Sequence, residues 1–261
     1  MKGTQRQQML LKALAQAGPE GISIREVAGQ LGIPPVSVHR LLSAWVDIRW
    51  AIQEPKTRRY RLGPGFLEIA GTFLARSPQS SLIQPYLQNL VEQTGLTAFA
   101  CSKEGNTVLC VALCTPHQGL KYYVHIGQSM PLHASAAAKA LIYHLDPHEL
   151  EELLLPSLRH QFTPKTPRTL ESILNSLALG RERGYWECRE ELEWGVDALA
   201  TPLLAPNGEP LLSFTVVGST QDITHREPAI TAILKQIGRL ASEELGALLS
   251  SQRLAPIQRK A

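Results

Sequence analysis

The sequence predicts an α+β protein with a small N-terminal winged helix-turn-helix and a larger domain of helices and antiparallel strands. Three amphipathic helices and a basic hairpin fall within the first 65 residues. Helical periodicity then alternates with strand-like runs, and 261 residues exceed one small domain. We therefore expect a first domain over 1–65, a linker helix and connector over 66–80, a larger domain over 81–250 and a tail over 251–261.

Three helices are predicted in the first domain. The first spans about Thr4–Ala17 and is followed by a Gly-Pro pair. Ser23 and Glu26 have the spacing of a capping box for the second helix, which ends at Gly32. The third begins at Pro35, where the missing N–H costs no hydrogen bond. Its predicted buried stripe is formed by Val38, Leu41, Leu42 and Trp45.

A hairpin is predicted after these helices. Two strand-like runs, 50–53 and 59–62, flank a polar turn that contains Pro55, and a Gly-Pro-Gly segment at 63–65 closes the unit. Three helices followed by a basic hairpin are the outline of a winged helix-turn-helix.

The rest of the chain mixes helices and strands. Predicted helices span 66–76, 82–94, 134–144, 170–183 and 229–249, with a further helix capped by Asp146 and a polar break at 77–80. Predicted strands span 97–102, 107–113 and 120–126. Asn207-Gly208 between the apolar runs 201–204 and 210–217 predicts a tight hairpin.

Composition and charge narrow the class of protein. No apolar run is long enough for a membrane helix, and residues 1–10 lack the apolar core of a secretion signal. Four cysteines without a regular framework suit a reducing compartment. We expect a cytoplasmic protein without a membrane partner. Residues 1–65 carry ten Lys and Arg against four acidic residues, whereas the remaining chain is slightly acidic. A basic first domain suits a polyanionic partner.

The third helix and the hairpin have the side chains that double-stranded DNA recognition requires. Ser37, His39 and Arg40 are expected to point outward, and Val36 is placed to contact a thymine methyl group. The hairpin tip adds long cations that can reach the phosphate backbone or the minor groove. These cations are Lys56, Arg58 and Arg59.

Several segments in order resemble the IclR family of bacterial transcription regulators. VHRLL at 38–42 is followed at the expected distance by RYRLGP at 59–64. GQSMPLHASAAAKA at 127–140 resembles that family's VGxxxPLHASAxGKA segment. RGY at 183–185, Glu190-Glu191, Gly195 and Pro202 match its later conserved segment, so the resemblance covers roughly residues 5–250.

The resemblance implies a winged-helix domain, a linker helix and a GAF-like effector domain. Such proteins are usually homodimers or homotetramers on palindromic operators, and most are repressors controlled by a small-molecule effector. No cofactor, metal or catalytic residue is expected. The chain departs from the family where Arg49 replaces a usual glycine, and Pro35 and Val36 make the recognition helix less polar than usual.

The resemblance also implies which residues bind the effector. Ala138 replaces a glycine, Cys188 an acidic residue and Ala198 a cysteine, while Thr215 and Val217 replace two serines. Leu132 and Ser135 are expected nearby. Because these replacements remove hydrogen-bonding partners for a small anion, we expect a more apolar or aromatic effector, with one hydroxyl contacted by Thr215.

A thiol- or metal-responsive regulator is an alternative interpretation. Cys101, Cys110, Cys114 and His117 are close enough in sequence to bind a soft metal or form a redox switch. Cys110 and Cys114 are an even number apart and can share a strand face, although an ideal strand separates them by about 13 Å. Buried structural thiols are the simpler interpretation.

An enzyme is a second alternative. His133 and Ser135 are close in sequence, and Glu187, Glu190, Glu191, Glu193 and Asp197 form an acidic run. No nucleophile elbow or phosphate loop accompanies them. We therefore expect a solvated acidic segment and no catalysis.

Overall fold

The computed structural model describes residues 3–75, 78–117, 122 and 124–253, and the chain divides into two compact units, Met1–Ser77 and Pro78–Ala261. The elements of the first unit are α1 (Gly3–Gln16), α2 (Ile24–Leu31), α3 (Pro35–Asp47), β1 (Ala51–Gln53), β2 (Tyr60–Leu62) and α4 (Gly65–Ala75).

The termini of α2 and α3 form as the sequence predicts. The Ser23 side chain accepts a hydrogen bond from the Glu26 N–H, and the Glu26 carboxylate accepts one from the Ser23 N–H. Gly32 ends α2 with a left-handed φ of 63°. Pro35 begins α3. The core of this unit includes Leu10, Leu14, Val27, Val38, Leu42, Trp45 and Tyr60.

The hairpin β1–β2 is antiparallel, with Ala51 opposite Leu62. A side chain at Gly63 would meet the Arg49 carbonyl oxygen at 2.2 Å, so only glycine lets the chain return this closely past the start of β1. Arg49 itself has a φ of 62°, in the left-handed region.

The second unit is a helix-covered antiparallel sheet. Its helices are α5 (Pro78–Thr94), α6 (Ala136–Ile142), α7 (Pro147–Leu154), α8 (Leu170–Arg183) and α9 (Thr220–Arg253). Its strands are β3 (Thr97–Glu104), β4 (Thr107–Cys114), β5 (Ser129–Met130), β6 (Trp186–Arg189), β7 (Val196–Leu204) and β8 (Pro210–Ser219). Within the described residues the strand order is β5-β4-β3-β8-β7-β6.

Each face of this sheet has its own core. On one face, Ala98, Leu199, Phe214 and Val216 pack with residues of α5 and α9. On the other, Phe99, Cys188 and Val217 pack with residues of α6, α7 and α8. Strand side chains alternate between the two faces, so residues 99, 215 and 217 share the face covered by α6.

The predicted α+β class with its N-terminal winged helix-turn-helix is confirmed, and three element predictions are wrong. Of the predicted strand 120–126, residues 122 and 124–126 are irregular, 120, 121 and 123 lie outside the described residues, and the strand beside β4 is β5. Positions 78–80 belong to α5 rather than to a break. Helix α9 begins nine residues before the predicted start and includes Pro228.

The predicted tail is only partly described, because α9 continues to Arg253 and residues 254–261 lie outside the described residues. In the part of the chain that the structure describes, we find no helix long and apolar enough to cross a membrane.

Candidate functional site

Helix α3 has a buried face and an exposed face. Val38 and Leu42 are fully buried, whereas His39 and Arg40 are exposed and Ser37 is half-buried. Val36 is 80% exposed, although it is apolar. Packing of the buried face therefore fixes the helix and leaves a mixed cationic and apolar face available to a partner.

The hairpin tip presents two of the three predicted cations. Lys56 and Arg58 are exposed, and Arg58 has a φ of 59° in the tight turn. Arg59 is placed differently: its guanidinium donates to both Glu26 carboxylate oxygens, at 3.0 and 2.8 Å, and its Nε donates to the Gly21 carbonyl at 3.0 Å. Arg59 therefore anchors the hairpin to α2, and its donors are directed inward.

The second unit contains a cavity of about 380 Å³ on the sheet face covered by α6. Side chains of β3, β6, β7 and β8 form its floor. The N-terminal end of α6 forms one wall, and the loop before β7 together with Asp197 at the start of β7 forms another. Its lining comprises Phe99, Tyr122, Val124, Gln128, Ser129, Met130, Pro131, Ser135, Ala136, Phe162, Cys188, Leu192, Glu193, Val196, Asp197, Ala198, Thr215 and Val217.

Most of the predicted effector-binding residues share this cavity. Ser135, Cys188, Ala198, Thr215 and Val217 all line it. The structure does not bring the other two there: Leu132 and Ala138 are buried in the core beside α6. Ala138 lies two residues after the lining residue Ala136, and two residues turn a helix by about 200°, so its side chain points away.

The floor is apolar except for two groups. The Cys188 thiol donates to the Ala134 carbonyl at 3.1 Å, and burial raises its pKa to about 12, so the sulfur is uncharged. The Thr215 hydroxyl is fully buried, and within the described residues its Oγ1 has no hydrogen-bond partner. Since an unpaired buried hydroxyl costs stability, Thr215 is suited to a polar group of a bound molecule.

The charged groups of the lining are carboxylates. Glu193 is exposed, whereas Asp197 is buried and accepts hydrogen bonds from Arg189 at 3.0 Å, the Glu190 N–H and the Thr220 hydroxyl. Among the described lining residues there is no lysine or arginine. The cavity is therefore apolar with a negatively charged wall.

The acidic run that suggested an enzyme is largely neutralised by cations. Lys139, fully buried on α6, donates to both Glu191 carboxylate oxygens at 2.8 and 2.7 Å and to the Glu187 carbonyl. Burial raises the pKa of Glu191, and Lys139 opposes that shift. Glu190 pairs with Lys165. These contacts hold the loop that forms one wall of the cavity.

His133 and Ser135, the other groups considered for catalysis, are both buried. His133 Nε2 is 2.8 Å from the His160 carbonyl oxygen, and its ring stacks on Phe162. The ring therefore packs between a backbone carbonyl and an aromatic wall of the cavity.

The cysteines do not converge on one site. Cys101 and Cys110 are cross-strand partners in the core on the cavity side of the sheet. A β-bulge at Val111 changes the alternation, so Cys114 packs on the opposite side and the expectation that Cys110 and Cys114 share a face is wrong. His117 is exposed. The described residues contain no cluster of three or more His, Cys, Asp or Glu suited to a metal.

Several cavity residues were missed from the sequence. Phe99 could have been predicted, because the pairing of β3 with β8 places it opposite Thr215 on the same face of the sheet. Tyr122 and Phe162 come from irregular segments, and no periodic signal marks them. The pairing of Arg59 with Glu26 also has no signal in the sequence, since the two residues are 33 positions apart.

Comparison with protein families gives two matches that together span most of the chain. The IclR helix-turn-helix domain matches residues 4–55, and the bacterial transcriptional regulator IclR C-terminal domain matches residues 73–243. The second match alone covers more than half of the chain and includes the cavity.

Curated relatives are transcriptional regulators. The HTH-type transcriptional regulator BhcR of Paracoccus denitrificans is 29% identical over 200 residues, which are 77% of this chain and 72% of BhcR. The HTH-type transcriptional repressor AllR of Escherichia coli K12 is 25% identical over 215 residues, covering 82% of this chain and 79% of AllR.

Solved structures share the fold. An IclR-type transcriptional regulator from Alicyclobacillus acidocaldarius has a TM-score of 0.76 at 22% identity, covering 92% of this chain and 97% of its own. An IclR homologue from Microbacterium hydrocarbonoxydans, complexed with 4-hydroxybenzoate, has a TM-score of 0.76 at 18% identity, covering 93% and 98%.

Proposed function

Because this chain belongs to the IclR family of bacterial transcriptional regulators, we propose that it represses genes by binding an operator and that a small molecule in the cavity controls this binding. The observation that carries the proposal is the presence of an exposed recognition helix in one unit and a mainly apolar cavity in the other. The repressor name of the relative AllR supports the direction of control. The site of action is then the cytoplasm, where bacterial DNA lies.

The DNA-reading surface consists of exposed residues of α3 and the hairpin tip. Arg40 and His39 are placed to contact phosphates or purines, with Ser37 beside them. Val36 supplies an apolar contact that suits a thymine methyl group. Lys56 and Arg58 reach toward the DNA backbone from the hairpin. Arg59, which was expected to contact DNA, instead supports this surface through its ion pair with Glu26.

The first test is a gel shift on the DNA next to the chain's own gene, repeated over a series of salt concentrations. We expect tight binding to one palindromic fragment that weakens steeply with salt, because Lys and Arg displace counterions from phosphates. Arg40→Ala is expected to weaken specific binding by about ten- to a hundredfold. Arg6→Ala removes the same charge from an exposed position on α1 and serves as the control. Equal effects of the two substitutions would contradict the assignment of α3.

The cavity is the proposed effector site. Phe99, Tyr122 and Phe162 contribute aromatic surface, and Thr215 supplies the unpaired hydroxyl. This lining supports an apolar or aromatic effector with one polar group directed at Thr215. The homologue from M. hydrocarbonoxydans binds an aromatic molecule, which supports the same class. The ligand switches the regulator only if it binds one conformation better than the other.

We also propose that the chain works as a homodimer or higher homo-oligomer that pairs through α4. Most residues of this helix are apolar in the sequence, and Leu67 is 75% and Ile69 54% exposed. At its start, Phe66 packs on Trp50 and Glu68 pairs with Arg49 at 2.9 Å. An apolar helix needs a partner, and a second copy gives the two-fold symmetry that a palindrome requires.

The alternatives have weaker support. The cysteines lie on both sides of the sheet, so we do not retain the thiol- or metal-responsive mechanism. We assign no catalytic role, because four of the five carboxylates of the acidic run are engaged in ion pairs and His133 packs against a backbone carbonyl and Phe162.

A further inference from the structure

We propose that the cavity selects an uncharged effector and rejects carboxylates of the same shape. The inference rests on the proposed effector function of the cavity and concerns the charge of the molecule that binds there. Three observations on the described residues carry it: the lining has carboxylates and no lysine or arginine, Thr215 on the floor has an unpaired neutral hydroxyl, and Arg189 beside the cavity already pairs with three carboxylates.

The wall of the cavity is lined by carboxylates. Glu193 lines the cavity with a carboxylate that has no ion pair among the described residues. Asp197 lines it as well, and its partner Arg189 also pairs with Glu187 at 3.0 Å and Glu227 at 2.6 Å. Arg183 also approaches Glu187 at 3.6 Å, so two arginines face these three carboxylates and Glu193, and the net charge of these described groups is negative.

Tyr122 lies in the same negative field as Glu193 and adds the carboxylate of Asp222 to it. It lines the cavity, and its pKa is raised by burial first and then by the carboxylates of Asp222 and Glu193. A negative charge placed beside Tyr122 would meet the same carboxylates. A bound carboxylate would thus lose hydration and gain repulsion.

The floor offers a neutral polar group instead. Thr215 is fully buried on β8, and its Oγ1 has no hydrogen-bond partner in the part of the chain that the structure describes. The neighbouring Cys188 thiol is neutral and donates its hydrogen to Ala134, so it has no proton to offer an anion. A hydroxyl or amide group on the ligand can pair with Thr215 without bringing a charge into an apolar site. Lys139, the cation below this region, is already bound to Glu191.

The test uses the full chain and calorimetric titration with matched probes. Benzoate, benzamide and benzyl alcohol share one ring, and 2-naphthoate with 2-naphthamide extends the series to a larger ring. We expect each uncharged member to bind about tenfold or more tightly than the carboxylate of the same ring. Carboxylates that bind as tightly as their amides would overturn the proposal.

Two variants locate the cause. Glu193→Lys changes an exposed side chain and is expected to raise carboxylate affinity by about tenfold, with little effect on the amides. Glu152→Lys, an equally exposed change on α7, is the control and should leave both affinities unchanged. Thr215→Val keeps the side-chain shape. It should weaken the binding of benzamide and benzyl alcohol without weakening the binding of toluene. If Glu193→Lys and Glu152→Lys act alike, the wall does not set the charge preference.

The experiment separates this inference from the proposed function. Operator release by carboxylates alone, measured in the gel shift, would uphold an effector-controlled repressor and overturn the charge selection. If no probe of either class binds, both the charge selection and the cavity as a site for small ring compounds are overturned, whereas operator binding stands on its own measurement.

Discussion

The backbone angle of Arg49 explains why the IclR family usually has a glycine at this position. The IclR resemblance places a glycine at this position, and the structure gives Arg49 a φ of 62°. A non-glycine residue in this region is strained by about 1 kcal/mol, because its Cβ approaches the following carbonyl oxygen. The usual glycine thus has a conformational reason. The Arg49 side chain offsets part of the strain through its exposed ion pair with Glu68.

We expect Arg49→Gly to be more stable than Arg49→Ala by about 1 kcal/mol. Both variants lose the ion pair, but only glycine relieves the strained φ. At positions with a negative φ, the alanine variant is the more stable of the two, because glycine has more conformational freedom in the unfolded chain. Urea unfolding followed by tryptophan fluorescence measures the difference, since Trp45 and Trp50 lie beside this turn.

The matched control for Arg49 is Arg6, an exposed residue within α1. There Arg6→Gly should be less stable than Arg6→Ala, by about 1 kcal/mol. The same order at both positions would mean that the angle at Arg49 carries no strain.

The resemblance to the IclR family identified several of the residues that line the cavity. It gave no indication of the lining residues that lie outside the family's motifs. Thr215, Val217 and Ala198 stand at positions whose identity the family pattern picks out, and strand pairing places them on one face. Phe162 comes from a segment without periodicity. Neither composition nor spacing could show that Arg59 turns inward to Glu26, because the contact depends on how the hairpin folds back on α2.

Among the elements, the tie between α2 and the hairpin is sensitive to acid. Hydrogen bonds from the Ser23 backbone and side chain, followed by the bond from Arg59, lower the pKa of Glu26 from 4.5 to about 2. A depressed carboxyl pKa stabilises the folded state above the unfolded value, and this contribution is lost as the pH falls from about 4.5 through about 2.

We expect Glu26→Gln to speed hydrogen exchange of the α2 and hairpin amides near neutral pH and to make little difference below about pH 2. Exchange measured by mass spectrometry on wild type and variant tests this. Glu20→Gln, an exposed change nearby, should show no difference at either pH. A Glu26→Gln effect that stays constant down to about pH 2 would show that the carboxylate's charge is not what holds the hairpin.

Helix ends were predicted better than irregular segments, for physical reasons. Ser23, Asp146 and Gly184 each act through local hydrogen bonds or a local angle, so their effect is visible in the sequence. The last helix was predicted to start at about residue 229, yet α9 begins at Thr220 and contains Pro228 in its interior, where one backbone hydrogen bond is lost. The bulge at Val111 depends on pairing with β3, which local patterns do not encode.

At the scale of the whole molecule, the exposed apolar surface of α4 predicts self-association. We expect the purified chain to be at least a dimer by size-exclusion chromatography with light scattering. Leu67→Asp should shift it toward monomer, because a carboxylate at a paired apolar surface would be desolvated without a partner. The affinity for the operator should fall as the dimer is lost, since each half-site then binds a single copy of the chain.

Leu155→Asp provides the control for Leu67→Asp. Leu155 is 49% exposed at the end of α7, so the same change is made on another exposed leucine. Its oligomeric state should match the wild type. A Leu67→Asp protein that remains fully associated would place the interface elsewhere.

The construction of the cavity floor affects how the ligand specificity of this protein could change during evolution. Its side chains project from β3, β7 and β8, whereas the sheet is held by backbone hydrogen bonds that do not depend on those side chains. Under the proposed effector role, exchanges at 198, 215 and 217 would alter which compound binds while the sheet stays intact. Duplicated copies of such a gene would then need few mutations to respond to different compounds, and each intermediate sequence would still fold.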